Sequence, residues 1–391
     1  MSAFSFTNPS NAVPIQELPD PFLKPDGGRV SSPGEWPQQR EYLKEMLAHY
    51  LYGHMPPPPG QVESEVIHSE NCFDGAGIRE RVRLRCGPGN AVSFELVVSR
   101  PAKSGSYPVF VWNQFQEMEP SPLEEKLLRS GYAIAMFDRT QLTADDVGTT
   151  KPFEEEPVAR LYPEYDWRAI GIWAWGHSVV ADFLQTTDYA DMTKLISNGF
   201  SRGGKVALWA AICDERFAAC AVAGSGCGGA GNFRFMGGRL GHGIGSCESL
   251  GDITKVSRFW YWFSDNCAPY GNHEAESGLK DEALLPFDLH FVRTLIAPRP
   301  LITVDGLDDT WANPYGTQIS WQAANEVYDF LDAPGHNAMH FREGGHGFNG
   351  IDWEEVLRFC ENTLRGAEIP ANYKLPDADT PKLHYGWRKP E

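Results

Sequence analysis

Apolar positions recur along the chain with two periods, and the change from one to the other orders the elements. In "GEWPQQREYLKEMLAHYLYG", Trp36, Leu43, Met46, Leu47 and Leu51 recur at helical spacing until Gly53 and the breaker "MPPPPG". This predicts an amphipathic lead-in helix. "IRERVRLRC" and "AVSFELVVSRP" alternate or run apolar as strands do, with Gly87-Pro88-Gly89-Asn90 between them, which predicts an antiparallel hairpin. From Tyr107 the pattern alternates. "YPVFVWN", "YAIAMFD", "KLISNGF", "AACAVAGSG" and "APRPLITVDG" read as strands, and "SPLEEKLLRSG", "IGIWAWGHSVVADFLQT" and the run after Gly204 read as helices. Strands alternating with helices predict an α/β fold, a three-layer sandwich with a mostly parallel central sheet and helices on both faces. Trp173 and Trp175 read as core. No repeat or Ser/Gly linker divides the chain, so one domain is expected over residues 1–391. It would have a lead-in at about 1–75, a Gly- and aromatic-rich insertion at about 229–290, and a tail at about 370–391 packed on the body.

The stretch "ISNGFSRGGKVALW" holds Gly199-Phe200-Ser201-Arg202-Gly203, a G-x-S-x-G pattern between a short apolar strand and a helix run from Val206 to Ile212. That context is the one a nucleophile elbow of the α/β-hydrolase fold requires, with the serine hydroxyl raised above the sheet and the next N–H aimed at a developing oxyanion. A phosphate-binding or purely structural Ser-Gly turn is the alternative. A serine hydroxyl attacks only when a base takes its proton and an acid orients that base. In such hydrolases the order along the chain is Ser, acid, His. His346 lies between glycines in "EGGHGF", after a strand-like segment and before the helix "DWEEVLRFCENTL". "LITVDGLDDTWANP" offers Asp305, Asp308 and Asp309 in a loop after a strand, where ligands bind in open α/β sheets. Asp309 is the preferred acid and Asp308 the reserve. Turn-forming or helix-capping aspartates are the other reading.

Composition narrows the function. A 391-residue chain that is 42% hydrophobic and 12% aromatic is long enough and apolar enough for a sizeable core. A net charge of −18 argues against nucleic acid or an anionic membrane as partner. The eight cysteines form no CxxC pair and no Cys/His spacing of the kind zinc prefers, so neither a metal nor a cofactor is expected. Whether any pair as disulfides cannot be read from their spacing. "MSAFSFTNPSNAVP" has no basic segment followed by an apolar one. The expectation is a secreted or periplasmic protein in its mature form, or else a cytoplasmic one, and a monomer.

Taken in order, "GFSRGGK", "GSGCGGAGNFR", "DDTWANP" and "EGGHGF" resemble the glucuronoyl esterases, a carbohydrate esterase family that cleaves esters of glucuronic acid on xylan. "LPDPFLKPDGGRV", "EWPQQREYLKEMLAHYLYGHMPPP" and "GIWAWGHSVVADFL" resemble the family's opening and its helix before the elbow, so the likeness spans nearly the whole chain. Ser-Arg-x-Gly-Lys is its most specific piece. The resemblance implies that Ser201 is the nucleophile, that Arg202 stabilises the oxyanion, and that Lys205 binds hydroxyls of the uronate ring. It also places Glu248, in "SCESLGDI", about where the family has a sugar-binding glutamate. Gln114 in "WNQFQ" follows the strand whose loop supplies the second oxyanion N–H, and Trp311 is a candidate to stack on a sugar or to pack beneath the loop.

Two positions depart from the family pattern. Phe200 stands where a cysteine commonly precedes the serine, which excludes that disulfide. Gly224 stands where many members carry the catalytic glutamate, and glycine cannot orient a histidine. Some bacterial members have an aspartate in Asp-x-Trp-Ala-x-Pro, matched here by Asp309-Thr310-Trp311-Ala312-Asn313-Pro314, so the resemblance favours Asp309. The expected substrate is a carbohydrate ester such as a glucuronoxylan or lignin–carbohydrate ester. An acetyl-xylan or other carbohydrate esterase and an inactive carbohydrate-binding relative are the alternatives.

Overall fold

The computed structural model describes residues 4–7, 11–113, 120–145, 153–237, 247–255, 257–271, 281–367 and 384–391. Its strands are β1 (Glu63–Cys72), β2 (Gly77–Cys86), β3 (Val92–Pro101), β4 (Tyr107–Trp112), β5 (Ala133–Phe137), β6 (Ala190–Phe200), β7 (Phe217–Ala223), β8 (Leu301–Gly306) and β9 (Asn337–Arg342). They form one nine-stranded sheet in the order β1-β2-β3-β5-β4-β6-β7-β8-β9. β1, β2 and β3 are antiparallel, as is the β3–β5 pair, and every pair from β5 to β9 is parallel. The expected hairpin is β2–β3, paired from Gly77–Pro101 to Cys86–Val92.

The helices are α1 (Trp36–Leu47), α2 (Pro122–Arg129), α3 (Pro157–Leu161), α4 (Ala169–Leu184), α5 (Arg202–Cys213), α6 (Leu250–Thr254), α7 (His290–Thr294), α8 (Pro314–Phe330) and α9 (Gly350–Arg365). The two sheet faces explain the near-continuous apolar strands. Val109 and Val111 of β4 and Ala133, Ala135 and Phe137 of β5 join the core under α4, α5 and α7. Phe110, Ile134 and Met136, the alternate residues, pack under α2 and α9. Successive side chains point to opposite faces, and both faces here are covered, so every position is apolar. All sixteen residues of α4 are buried, Trp173 and Trp175 among them, as an apolar-all-round helix must be. This is the three-layer α/β-hydrolase architecture.

The parallel strands β6, β8 and β9 end on the same side of the sheet, where their loops carry Ser201, Asp309 and His346. Residues 224–300 connect β7 to β8 and contain α6 and α7. None of the eight cysteines forms a disulfide. Among the described residues no helix is long and apolar enough to cross a membrane.

Candidate active site

The elbow is built by glycines that could be nothing else. Ser201 has φ 56° and ψ −126°, a strained conformation between the last residue of β6 and the first of α5. That turn brings the chain back on itself. A Cβ on Gly199 would lie 2.0 Å from the carbonyl oxygen of Gly203, and one on Gly203 would lie 2.6 Å from Asn113 Oδ1. Any side chain at either place would displace backbone or a buried amide, which is the physical reason for glycine two residues before and after the serine.

His346 connects the serine to the acid. Its Nε2 lies 2.9 Å from Ser201 Oγ and its Nδ1 lies 2.6 Å from Asp309 Oδ2. With Asp309 ionised, Nδ1 carries the proton and Nε2 is left to accept from the serine. Asp309 is 4% exposed, and its other oxygen accepts the Ala312 N–H at 3.2 Å, which holds the carboxylate at the head of the turn Thr310–Ala312. The Phe200 ring lies 4.7 Å from the imidazole, and the space a Gly224 side chain would use is 3.2 Å from His346 Cε1.

The two neighbouring aspartates do other things. Asp308 is exposed and accepts the Gly344 N–H at 3.1 Å while donating its own N–H to Gly344 O at 3.0 Å, so it fastens the histidine loop without reaching the imidazole. Asp305 is buried and accepts the Gly224 N–H at 3.0 Å. Burial, and secondarily the negative charge of Asp309, push its carboxyl up to about 7.

Arg202 opens α5, and its backbone N–H makes no hydrogen bond among the described residues, which leaves it for an oxyanion. Its guanidinium stacks 4.7 Å over the Trp262 ring and donates to Asp145 Oδ1 at 3.0 Å. Gln114 lies outside the described residues. Asn113, immediately before it, donates from Nδ2 to Gly203 O at 3.1 Å and to His177 Nε2 at 2.8 Å. His177 is buried and held down to about 3, so it is neutral; its Nδ1–H then faces Ser197 Oγ at 3.1 Å.

Lys205 and Glu248 meet in the floor of the site. The buried Lys205 ammonium donates to Ser225 O at 2.8 Å, Cys227 O at 2.5 Å and Glu248 Oε2 at 2.7 Å. An ammonium has three protons, and these three acceptors use them all, so Lys205 has none left over for a sugar hydroxyl. Glu248 differs. Its second oxygen has no hydrogen-bond partner among the described residues. Burial raises its carboxyl and Lys205 opposes that rise. Trp311 is half-buried, edge-on to Phe259 at 6.4 Å and under the Arg258 guanidinium at 5.4 Å, and its carbonyl accepts the Glu248 N–H at 3.0 Å. No motif marks Asn113, Arg139, Asp145 or His177, which reach the elbow from three separate segments: the end of β4, the loop after β5 and α4. Among the described residues no group of three or more His, Cys, Asp or Glu could hold a metal ion.

A hydroxyl, an imidazole and a carboxylate in this order can transfer an acyl group. Comparison with known proteins agrees with that chemistry. A carbohydrate esterase, MZ0003, from an unknown prokaryotic organism is 26% identical, over 90% of this chain and 91% of its own. The 4-O-methyl-glucuronoyl methylesterase 1 of Wolfiporia cocos is 27% identical, over 82% of this chain and 74% of its own. The solved carbohydrate esterase family 15 glucuronoyl esterase of Caldicellulosiruptor kristjansonii is 29% identical and superposes with a TM-score of 0.72, over 92% of this chain and 93% of that one. The family model described as glucuronyl esterase, fungi, matches residues 86–332, and the chain therefore belongs to the glucuronoyl esterase family.

Proposed function

We propose that this protein is a serine esterase that hydrolyses esters of D-glucuronic acid or its 4-O-methyl derivative. The observation that carries the reading is the unbroken hydrogen-bond chain Ser201–His346–Asp309 at a strained elbow, in a chain of this family. Ser201 Oγ attacks the ester carbonyl carbon as His346 Nε2 takes its proton, and the carbonyl oxygen becomes an oxyanion facing the Arg202 N–H. The C–O bond to the alcohol then breaks, and His346 returns the proton to the leaving alkoxide. Water attacks the acyl-enzyme by the same route and releases glucuronate. Asp309 stabilises the imidazolium at each stage.

Recognition of the sugar falls to Glu248, whose unpartnered oxygen accepts a ring hydroxyl, and to Trp311, whose half-exposed face meets the apolar side of the ring. Lys205 belongs to the same subsite as its organiser, since it clamps Glu248 to the carbonyls of Ser225 and Cys227.

The test is hydrolysis of a methyl or benzyl glucuronate beside an acetylated xylan and a short-chain aryl acetate. Uronate esters should be preferred over acetylated xylan. Ser201→Ala should stay folded and lose about 10⁴-fold or more in kcat. Preferential deacetylation of the xylan would replace this reading with an acetyl esterase, and normal turnover by Ser201→Ala would remove the serine mechanism altogether.

A further inference from the structure

Behind the elbow, four hydrogen bonds close a ring through residues outside the triad. Asp145 Oδ1 accepts from Arg202 Nη1 at 3.0 Å, and Asp145 Oδ2 accepts from Arg139 Nη2 at 2.8 Å. Arg139 Nη1 donates to Asn113 O at 3.0 Å, and Asn113 Nδ2 donates to Gly203 O at 3.1 Å, beside Arg202 again. The ring ties three segments together: the end of β4, the turn after β5, and the first turn of α5. It is also dry. The Asp145 side chain is 2% exposed and that of Arg139 is 5% exposed, with the guanidinium of Arg139 lying 5.1 Å from the Trp173 ring.

Two guanidinium groups share the Asp145 carboxylate, one of them on the residue that follows the serine. Arg202 is the member that faces outward, with its side chain 34% exposed, on the Trp262 ring. We infer that Asp145 is a positioning residue for ester cleavage: by bridging Arg202 to Arg139 it holds the Arg202 guanidinium and the two walls of the oxyanion site in register. This rests on the serine-esterase reading above.

The physical case turns on a sign. Judged by charge alone, removing the negative Asp145 makes the neighbourhood more positive and favours the oxyanion, so kcat should rise. Judged by position, its removal cuts the hydrogen bond that ties the Arg202 guanidinium to the loop after β5. The half-exposed Arg202 then leaves its place beside the serine, and kcat should fall. The ester substrate is uncharged at its carbonyl, so Arg202 gains an anionic partner only as the tetrahedral species forms. The loss therefore belongs to kcat and not to KM.

Asp145→Asn, Arg202→Met and the double variant would be compared with the parent on benzyl glucuronate and on a short-chain aryl acetate, with folding followed by thermal unfolding. The acetate has no sugar but passes through the same oxyanion. Expected for Asp145→Asn is a kcat lower by about 100-fold on both esters, with KM within about twofold. In the Arg202→Met background the same change should cost little more, because groups acting as a unit are not additive. An unchanged or raised kcat, or losses that multiply in the double variant, would overturn the inference. Should Asp145→Asn not fold, Asp145→Glu keeps the charge and moves it by one methylene; a fall in kcat at constant KM supports positioning, and full activity overturns it. Failure of the parent on the glucuronate, with the acetate cleaved, counts against the proposed substrate only, and the acetate rates still decide the role of Asp145.

Discussion

At the scale of single residues, one five-residue stretch that begins at the end of β8 holds three aspartates with three different jobs. Asp309 orients the imidazole, Asp308 ties down the loop that carries it, and Asp305 holds the backbone of Gly224. Asp309→Asn should keep the fold and lower kcat by about 10⁴-fold, because the amide favours the wrong imidazole tautomer. Asp308→Asn should cost less than about tenfold, since the amide still offers an oxygen to the Gly344 N–H at an exposed position. Both are read on one uronate ester at fixed pH; near-normal turnover by Asp309→Asn would place the acid elsewhere. A glutamate restored at Gly224 should not rescue Asp309→Asn. Gly224 has φ +53°, and its Cβ would press on His346 Cε1 at 3.2 Å, Nδ1 at 3.3 Å and Phe200 Cε2 at 3.4 Å. The choice among the aspartates rests in the sequence mainly on the resemblance of "DDTWANP". Their spacing says that a carboxylate lies near the strand end; which one reaches the histidine depends on the turn Thr310–Ala312, whose geometry no residue pattern declares. Lys205 shows the opposite case. Its position in the motif suggested a direct sugar contact, and only the fold reveals that Ser225, Cys227 and Glu248 take up its protons.

At the scale of elements, the patterns that read well belong to pieces covered on both sides. β4, β5, β7 and α4 stand out because nearly every position is apolar. β1 does not, and the sequence places it within the lead-in. As an edge strand paired only with β2, it is exposed at most positions and dressed in Glu63, Glu65, His68 and Glu70, the polar cover that protects an open edge. α8 is not among the helices the sequence pattern predicts, since it opens on Pro314 and Gly316, although Asn313 caps it by accepting the Gly316 N–H at 2.9 Å. The ends of β7 and β8 supply a test of how the elements are joined. Asp305 closes β8 onto Gly224 after β7 with one oxygen, and its other buried oxygen has no hydrogen-bond partner among the described residues. Its folded pKa, about 7, lies above the ordinary aspartate value of 3.8, so the native state holds the proton more tightly than the unfolded chain. The associated stability is full below the unfolded value and is lost as pH rises from about 4 to about 7. Asp305→Asn still offers an oxygen to Gly224 and cannot ionise. Denaturant midpoints measured across that window should fall less steeply for Asp305→Asn than for the parent; parallel curves would mean that Asp305 ionises no differently when folded.

At the scale of the whole molecule, the two ends of the chain are laced to each other and to the back of the site. Leu18 N–H donates to His384 O at 2.9 Å, and Trp387 Nε1 donates to Leu18 O at 2.8 Å. The Trp387 ring stacks on Tyr385 at 4.4 Å, lies 5.8 Å from His290 and meets Phe22 edge-on at 6.3 Å. From there the lead-in runs through α1 to Tyr52, whose hydroxyl donates to Gly228 O at 2.9 Å, next to the Cys227 carbonyl that takes Lys205. The lacing is therefore continuous from the tail to the floor of the proposed sugar site, yet only its last link touches that floor. Trp387→Ala removes an aromatic that is partly exposed, so the cost should be below that of a fully buried ring, about 2 kcal/mol, and should appear as a lowered denaturant midpoint. Because Trp387 meets no residue of the triad, kcat and KM on a uronate ester at 25 °C should stay within about twofold of the parent. Tyr52→Phe makes the contrasting case, since it keeps the ring stacked 4.4 Å over Trp209 and loses only the bond to Gly228. That change should raise KM for the uronate ester and leave the aryl acetate alone, because the loop it frees holds the organiser of the sugar subsite and not the serine. A fall in kcat for Trp387→Ala as large as its loss of stability would show that the lacing sets the geometry of catalysis, and equal effects of Tyr52→Phe on both esters would detach the lead-in from sugar recognition.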